Sequence, residues 1–224
     1  MTTHIMVDLE TVCKRPGGVV LAAAFVRFSD EAHCTLNLSI PDQEALGLEK
    51  DPETMAWWND QEARHPGAWA AATANPVSLA SALPYFLQWL QWAAPDGDFL
   101  LWCHGATFDA PILGEVYRRA GIACPWTEQF WRVQCTRTLF NLSGVNPKDY
   151  AVPPPHVALN DAIGQTRAAN AALAILARAH ARTPESRRQM AELAVTNGEM
   201  AAQLEIKDST LRSALVDNIV AACT

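Results

Sequence analysis

The chain has 224 residues, half of them apolar and only 18% charged, with a net charge of −7. That length buries one good core with room for a small appendage, and the acidic balance argues against a generic nucleic-acid coat. The charge is unevenly spread: residues 1–110 hold 5 basic and 14 acidic side chains, whereas 111–180 hold 7 basic and 4 acidic. An acidic lobe beside a mildly basic one suits a site that holds cations on one side and phosphates on the other, although scattered surface charge gives the same tally.

Taken in order, Ile5–Leu9 reads as a buried strand, followed by a turn through Pro16, Gly17 and Gly18 and a second strand at Val19–Phe28. A turn at Ser29–Ala32 precedes a third strand at Cys34–Ile40, where Cys34, Leu36, Leu38 and Ile40 alternate with polar residues. Pro41 closes this antiparallel meander, and Pro52 opens a helix through Arg64. A Leu- and Trp-rich helix spans Leu79–Ala93, a fourth strand Phe99–Cys103, and a helix Pro111–Ala120 ends at Gly121. A short strand near Trp131–Val133 leads to a helix from Thr136; Pro147–Pro155 reads as a loop and Val157–Ala179 as a long Ala-rich helix. Three strands followed by α, β, α, β, α predict an α/β domain over residues 1–180: a mixed five-stranded sheet flanked by helices.

Residues 184–224 are expected to form a helical extension. Gly198–Leu215 resembles a helix-turn-helix, with Ser209–Asp217 as its second helix. Glu205 stands where such turns carry glycine, and only Lys207 and Arg212 are basic, so a packing or dimerising hairpin, and hence a homodimer, is the expectation. The six cysteines include no Cys-x-x-Cys pair and read as reduced thiols. No signal segment is expected at the start, and the longest apolar run, Val19–Val26, is far too short for a bilayer, which points to a soluble cytoplasmic protein with no membrane partner.

Four acids carry most of the chemistry. Asp8 and Glu10 lie two apart on the first strand, so both project from one face. Two acids in line on a buried strand are costly without cations. Asp109 follows the fourth strand, at the end where open α/β sheets gather ligands, and Asp161 lies in the first turns of the last long helix. Gathered together, these carboxylates would repel one another unless divalent cations neutralised them. Pro153–Pro155 prevent the last helix from starting earlier, so His156 sits at the mouth of a loop, where an imidazole can take a proton from an attacking water.

The motifs Asp8-Leu9-Glu10-Thr11, Phe108-Asp109 with Ile112-Leu113, and His156-x-Ala158-Leu159-x-Asp161-Ala162 resemble those of the DEDD exonuclease superfamily, in its histidine-containing DEDDh branch on the RNase H-like fold. The resemblance covers about residues 1–180. It implies 3′→5′ release of nucleoside 5′-monophosphates from single-stranded DNA or RNA with two divalent metal ions, Mg²⁺ or Mn²⁺. It makes Asp8, Glu10, Asp109 and Asp161 ligands and His156 the general base.

A second layer, Glu53 to Gln61 with its Trp57-Trp58 pair, Trp102-x-x-Gly105-x-x-Phe108-Asp109, and Thr136-Arg137-Thr138, is similar to phage and prophage exonuclease VIII-like proteins and RNase AS-like exoribonucleases. Leu9, Thr11, Trp57, Trp58, His104 and Phe108 are the candidate substrate contacts; His104 stands where many relatives carry asparagine. Paired tryptophans stack on bases, but neighbours on a helix point about 100° apart, so one of the two is expected in the core. Two other readings stand beside this one: a nucleic-acid-binding regulator built on a vestigial nuclease fold, and a hydrolase confined to very short substrates such as dinucleotides.

Overall fold

The computed structural model describes residues 2–181 together with Glu185 and Arg188. The chain divides into two compact units, residues 1–172 and 173–224. The sheet and the acidic residues belong to the first. The helical extension, its helix-turn-helix and the dimerising surface expected over 184–224 otherwise lie outside the described residues.

Five strands form one mixed sheet: β1 (Thr3–Thr11), β2 (Val20–Arg27), β3 (His33–Asn37), β4 (Phe99–Cys103) and β5 (Val133–Cys135), in the order β3-β2-β1-β4-β5. The first three make the expected antiparallel meander, and β4 and β5 add in parallel on the other side of β1. Eight helices accompany the sheet among the described residues: α1 (Ile40–Ala45), α2 (Pro52–Arg64), α3 (Ala68–Thr73), α4 (Leu79–Ala93), α5 (Asp109–Arg119), α6 (Pro125–Glu128), α7 (Thr136–Ser143) and α8 (Ala158–Ala181).

Three local differences from the sequence expectation have plain causes. The alternation that suggested a strand to Ile40 stops at Asn37, because Ser39 caps α1 by accepting from the Asp42 N–H at 3.3 Å and Pro41 stands in its first turn. Gln43 on α1 is buried and exchanges hydrogen bonds with both backbone groups of Val20, fastening the start of β2 at 2.7 and 2.8 Å. Helices α3 and α6, of six and four residues, are too short to show a 3.6-residue period. The segment Phe130–Arg132 is a 3₁₀ turn, and β5 begins after it.

The pleat of β1 sorts its residues. Ile5, Val7 and Leu9 join Phe25, Leu83, Phe86, Ile112 and Leu113 in the main core, each large side chain contributing about 1.5–3 kcal/mol. On the opposite face Asp8 pairs across the strands with Ala24 and Glu10 with Ala22, so the acids have small neighbours. Helix α8 reaches that face through Gln165, whose Nε2 donates to Asp8 at 2.8 Å, and Asn170, whose Nδ2 donates to the Phe28 carbonyl at 3.0 Å. Its Ala162, Ala168, Ala169 and Ala172 are fully buried.

Cys13, Cys34, Cys103, Cys124 and Cys135 are free thiols. Among the described residues no helix is long and apolar enough to cross a membrane.

Candidate active site

The four acids come from three elements that end at one place. Asp8 and Glu10 stand near the end of β1, where the register with β2 shifts between Glu10 and Thr11. Because β4 runs parallel to β1, its chain emerges at the same edge and turns into α5. That helix begins at Asp109 itself, two residues earlier than Pro111 suggested. The buried Asp109 carboxylate accepts the Leu9 N–H at 3.2 Å, tying the helix start to β1. Asp161, in the first turn of α8, accepts the His156 N–H at 3.1 Å through Oδ2.

His156 lies before the helix, as the three prolines require, with its backbone in the left-handed region at φ 61°. A non-glycine residue is strained there and is held by its surroundings. One ligand atom each from Glu10, His156 and Asp161 lie within 4.8 Å of one another. The imidazole is walled by aromatic rings: Trp57 meets it edge-on at 5.0 Å between centroids, His65 lies at 5.7 Å and Trp58 at 6.3 Å.

Burial pushes all four acids toward their neutral forms, and repulsion from the other acids adds to it at Asp8 and Glu10. Asp8 is raised well above the ordinary carboxylate range, first by burial and then by Asp109, Glu10 and Asp161, against which the Gln165 amide works. Glu10 rises to about 8 through burial and the charges of Asp161 and Asp109. Asp109 rises to about 7 through burial, which outweighs the backbone N–H groups and Arg137 that favour its anion. Asp161 is raised by burial against the His156 N–H. His156 is lowered by burial and then by His65.

No lysine or arginine among the described residues forms an ion pair with any of the four acids. Carboxylate oxygens with one imidazole are a donor set for hard divalent cations such as Mg²⁺ or Mn²⁺. The residues therefore fit such ions, with Glu10, Asp161 and His156 already within reach of one position.

Asp8, Glu10 and Asp161 line a cleft of about 500 Å³, and Asp109 lies buried behind it. Of the candidate substrate contacts, Leu9, Thr11, Trp57 and Phe108 line it. The tryptophan pair divides as the helical angle requires. Trp57 is 41% exposed, whereas Trp58 is 1% exposed, donates through Nε1 to the Thr11 carbonyl at 2.8 Å and packs edge-on against Trp69. Trp58 is thus a core post beneath the cleft, not a stacking surface. His104 does not line the acidic cleft either. It faces a neighbouring pocket of about 540 Å³, with its Nδ1 3.0 Å from the Thr136 hydroxyl. Two residues of the site had escaped the sequence reading, Gln165 and His65, while Arg137 had stood only within the Thr136-Arg137-Thr138 motif, without a role of its own. Gln165 lies one helical turn beyond Asp161, a spacing that puts both on one face and was the available signal.

A family model described as the 3'-5' exoribonuclease Rv2179c-like domain matches residues 3–173. No curated protein sequence matches the chain. Two solved structures share the RNase H-like fold. One is the nuclease domain of 3'hExo, a DEDDh family member bound to rAMP, with a TM-score of 0.50 at 11% identity; the match covers 77% of this chain and 92% of that one. The other is the zinc-bound E. coli ExoI–ssDNA complex, with a TM-score of 0.50 at 13% identity, covering 83% of this chain and 42% of that one.

The chain belongs to the Rv2179c-like 3'-5' exoribonuclease domain family.

Proposed function

From that membership, we propose that the protein is a metal-dependent 3′→5′ exonuclease of the DEDDh kind, close to the RNase AS-like branch. It removes nucleoside 5′-monophosphates from single-stranded nucleic acid, with RNA as its substrate. The observation that carries the reading is the convergence of Asp8, Glu10, Asp109 and Asp161 without a basic partner, beside the imidazole of His156. A vestigial fold that only bound nucleic acid would have no reason to keep four mutually repelling acids together.

Asp8, Glu10, Asp109 and Asp161 would hold two divalent ions, which when bound neutralise the acids, activate water and stabilise the leaving oxygen. The chain's own residues supply the rest. Leu9 and Phe108 offer apolar surface for the terminal nucleoside, and the half-exposed Trp57 offers an indole face for its base. His156 accepts the proton of the attacking water; its lowered pKa keeps the ring neutral, and able to accept, at neutral pH. The His156 N–H held by Asp161 and the edge-on wall of Trp57 fix where that ring stands.

The deciding experiment is incubation of the pure protein with labelled single-stranded RNA, single-stranded DNA and dinucleotides, with Mn²⁺ and with chelator. Stepwise shortening of the RNA from its 3′ end, abolished by chelator and by Asp8→Asn, is the expected result. Activity that survived chelation, or in Asp8→Asn, would remove the assignment. Cleavage of dinucleotides alone would replace it with the short-substrate hydrolase.

A further inference from the structure

Beside the acidic cleft lies a second pocket, of about 540 Å³, between the end of β4 and helix α7. The two cavities share one lining residue, Arg137. Its setting differs from that of most other arginines in the domain. Arg15, Arg27, Arg118, Arg119 and Arg167 are engaged by carboxylates, and Arg132 by the carbonyls of Gly97 and Phe99. The Arg137 side chain is exposed and, among the described residues, donates no hydrogen bond and joins no ion pair; its charge acts on Asp109 only through space, favouring that anion. The other cation lining the acidic cleft, Lys14, is already paired with Glu53 at 3.3 Å.

Gly105 stands at φ 119°, and a Cβ there would lie 3.8 Å from the Arg137 Cζ, so the guanidinium rests over a glycine. His104 contributes an acceptor to the same pocket. The Thr136 hydroxyl donates its single proton to the Cys103 carbonyl at 3.1 Å, so His104 donates to Thr136 through Nδ1 and its Nε2 lone pair stays available. Asn141, exposed on α7, lies on the same wall.

We propose that this pocket is an upstream nucleotide subsite, in which Arg137 clamps the phosphodiester of a single strand as it leaves the acidic cleft. The inference rests on the nuclease reading above. A strand whose 3′ end enters a cleft lined by Asp8, Glu10 and Asp161 carries its next phosphate past an acidic wall. That phosphate needs a cation that no protein carboxylate has taken, with a planar fork that suits two phosphate oxygens. Arg137 meets both requirements at the junction of the cavities. The available His104 Nε2 accepts from a hydroxyl or amino group of the upstream nucleoside.

The test uses the full chain with Mn²⁺ and two substrates: the p-nitrophenyl ester of a nucleoside 5′-monophosphate, which has no upstream nucleoside, and a single-stranded pentanucleotide. The wild type should prefer the pentanucleotide in kcat/KM. Arg137→Ala should shrink that preference about ten- to a hundredfold, the weight of a charge-assisted hydrogen-bonded contact, and Arg137→Lys should recover part of it. The log–log salt dependence of pentanucleotide binding in chelator should flatten by about 0.7, one phosphate contact on a single strand. An unchanged preference in Arg137→Ala overturns the subsite. So does an equal loss on both substrates, which would place Arg137 at the cleavage step itself. If the wild type cleaves neither substrate, the nuclease reading falls. The subsite is then judged by fluorescence anisotropy, and equal affinity of wild type and Arg137→Ala for the labelled strand rejects it.

Discussion

Replacing Glu10 by glutamine should stabilise the metal-free protein at alkaline pH, although it removes a member of the proposed site. Glu10 is almost fully buried, and burial with Asp161 and Asp109 moves its pKa from 4.5 to about 8. A folded-state pKa raised above the unfolded value means that the folded form binds more protons. Its contribution is fully present below the unfolded pKa and is lost as pH rises through the folded one. At 1.36 kcal/mol per pH unit, this rise weighs on the order of 4–5 kcal/mol. Asp8, Asp109 and Asp161 act in the same direction. A domain of this size shifts its Tm by about 2–4 °C per kcal/mol, so ten degrees is the scale of the effect.

Thermal unfolding in chelator at pH 5.5 and pH 8.5 measures it. The wild type should melt lower at pH 8.5, Glu10→Gln should narrow that gap, and the variant should exceed the wild type at pH 8.5. Mn²⁺ should reverse the wild-type loss, stabilising more at pH 8.5 than at 5.5, since the ions displace protons from the same oxygens. A metal-free Tm that is flat or rising across this range, or a Glu10→Gln variant less stable than wild type at pH 8.5, refutes the reasoning.

The remaining expectations concern the walls of the cleft. His156→Ala should lower kcat about 10²–10⁴-fold with Mn²⁺ affinity, read by titration calorimetry, nearly kept; a matching loss of Mn²⁺ binding would make His156 a ligand instead. Wild-type activity should fall as pH drops through an acid limb below 6.5, the ordinary imidazole value, and His65→Ala should move that limb upward in a pH–rate profile. Trp57→Ala should leave the Tm nearly unchanged and weaken oligonucleotide binding by about 1–3 kcal/mol, whereas Trp58→Ala should cost about 3–5 kcal/mol of stability in denaturant melts; the opposite pattern would exchange their roles. Gly164→Ala would set a Cβ 2.9 Å from the Tyr150 carbonyl oxygen, in the segment that leads to His156. A loss of about 1–3 kcal/mol with a fall in kcat is expected, and a fully active, fully stable variant would show that this packing does not hold the loop.

What the chain discloses in advance depends on how far each interaction reaches along it. The sheet was legible because β2 and β4 are near-continuous apolar runs and β1 carries the apolar stretch Ile5–Val7 with Leu9, and α2 and α4 were bounded by Pro52, Arg64, Leu79 and Ala93 in sequence and structure alike. Asp8 and Glu10 were legible because a two-residue spacing on a buried strand decides their common face by itself. Asp109 and Asp161 were found through their motifs, but what joins them to β1 and to the His156 loop is a pair of backbone N–H groups, Leu9 and His156, to which no side-chain pattern points. Arg137 shows the limit most clearly. Its motif neighbours singled it out, yet its use follows from a shared wall between two cavities and from the carboxylates that engage most other arginines and not this one. That property belongs to the folded arrangement as a whole: an arginine is free for phosphate only when the folded chain leaves it outside any ion pair, and spacing along a sequence does not carry that information.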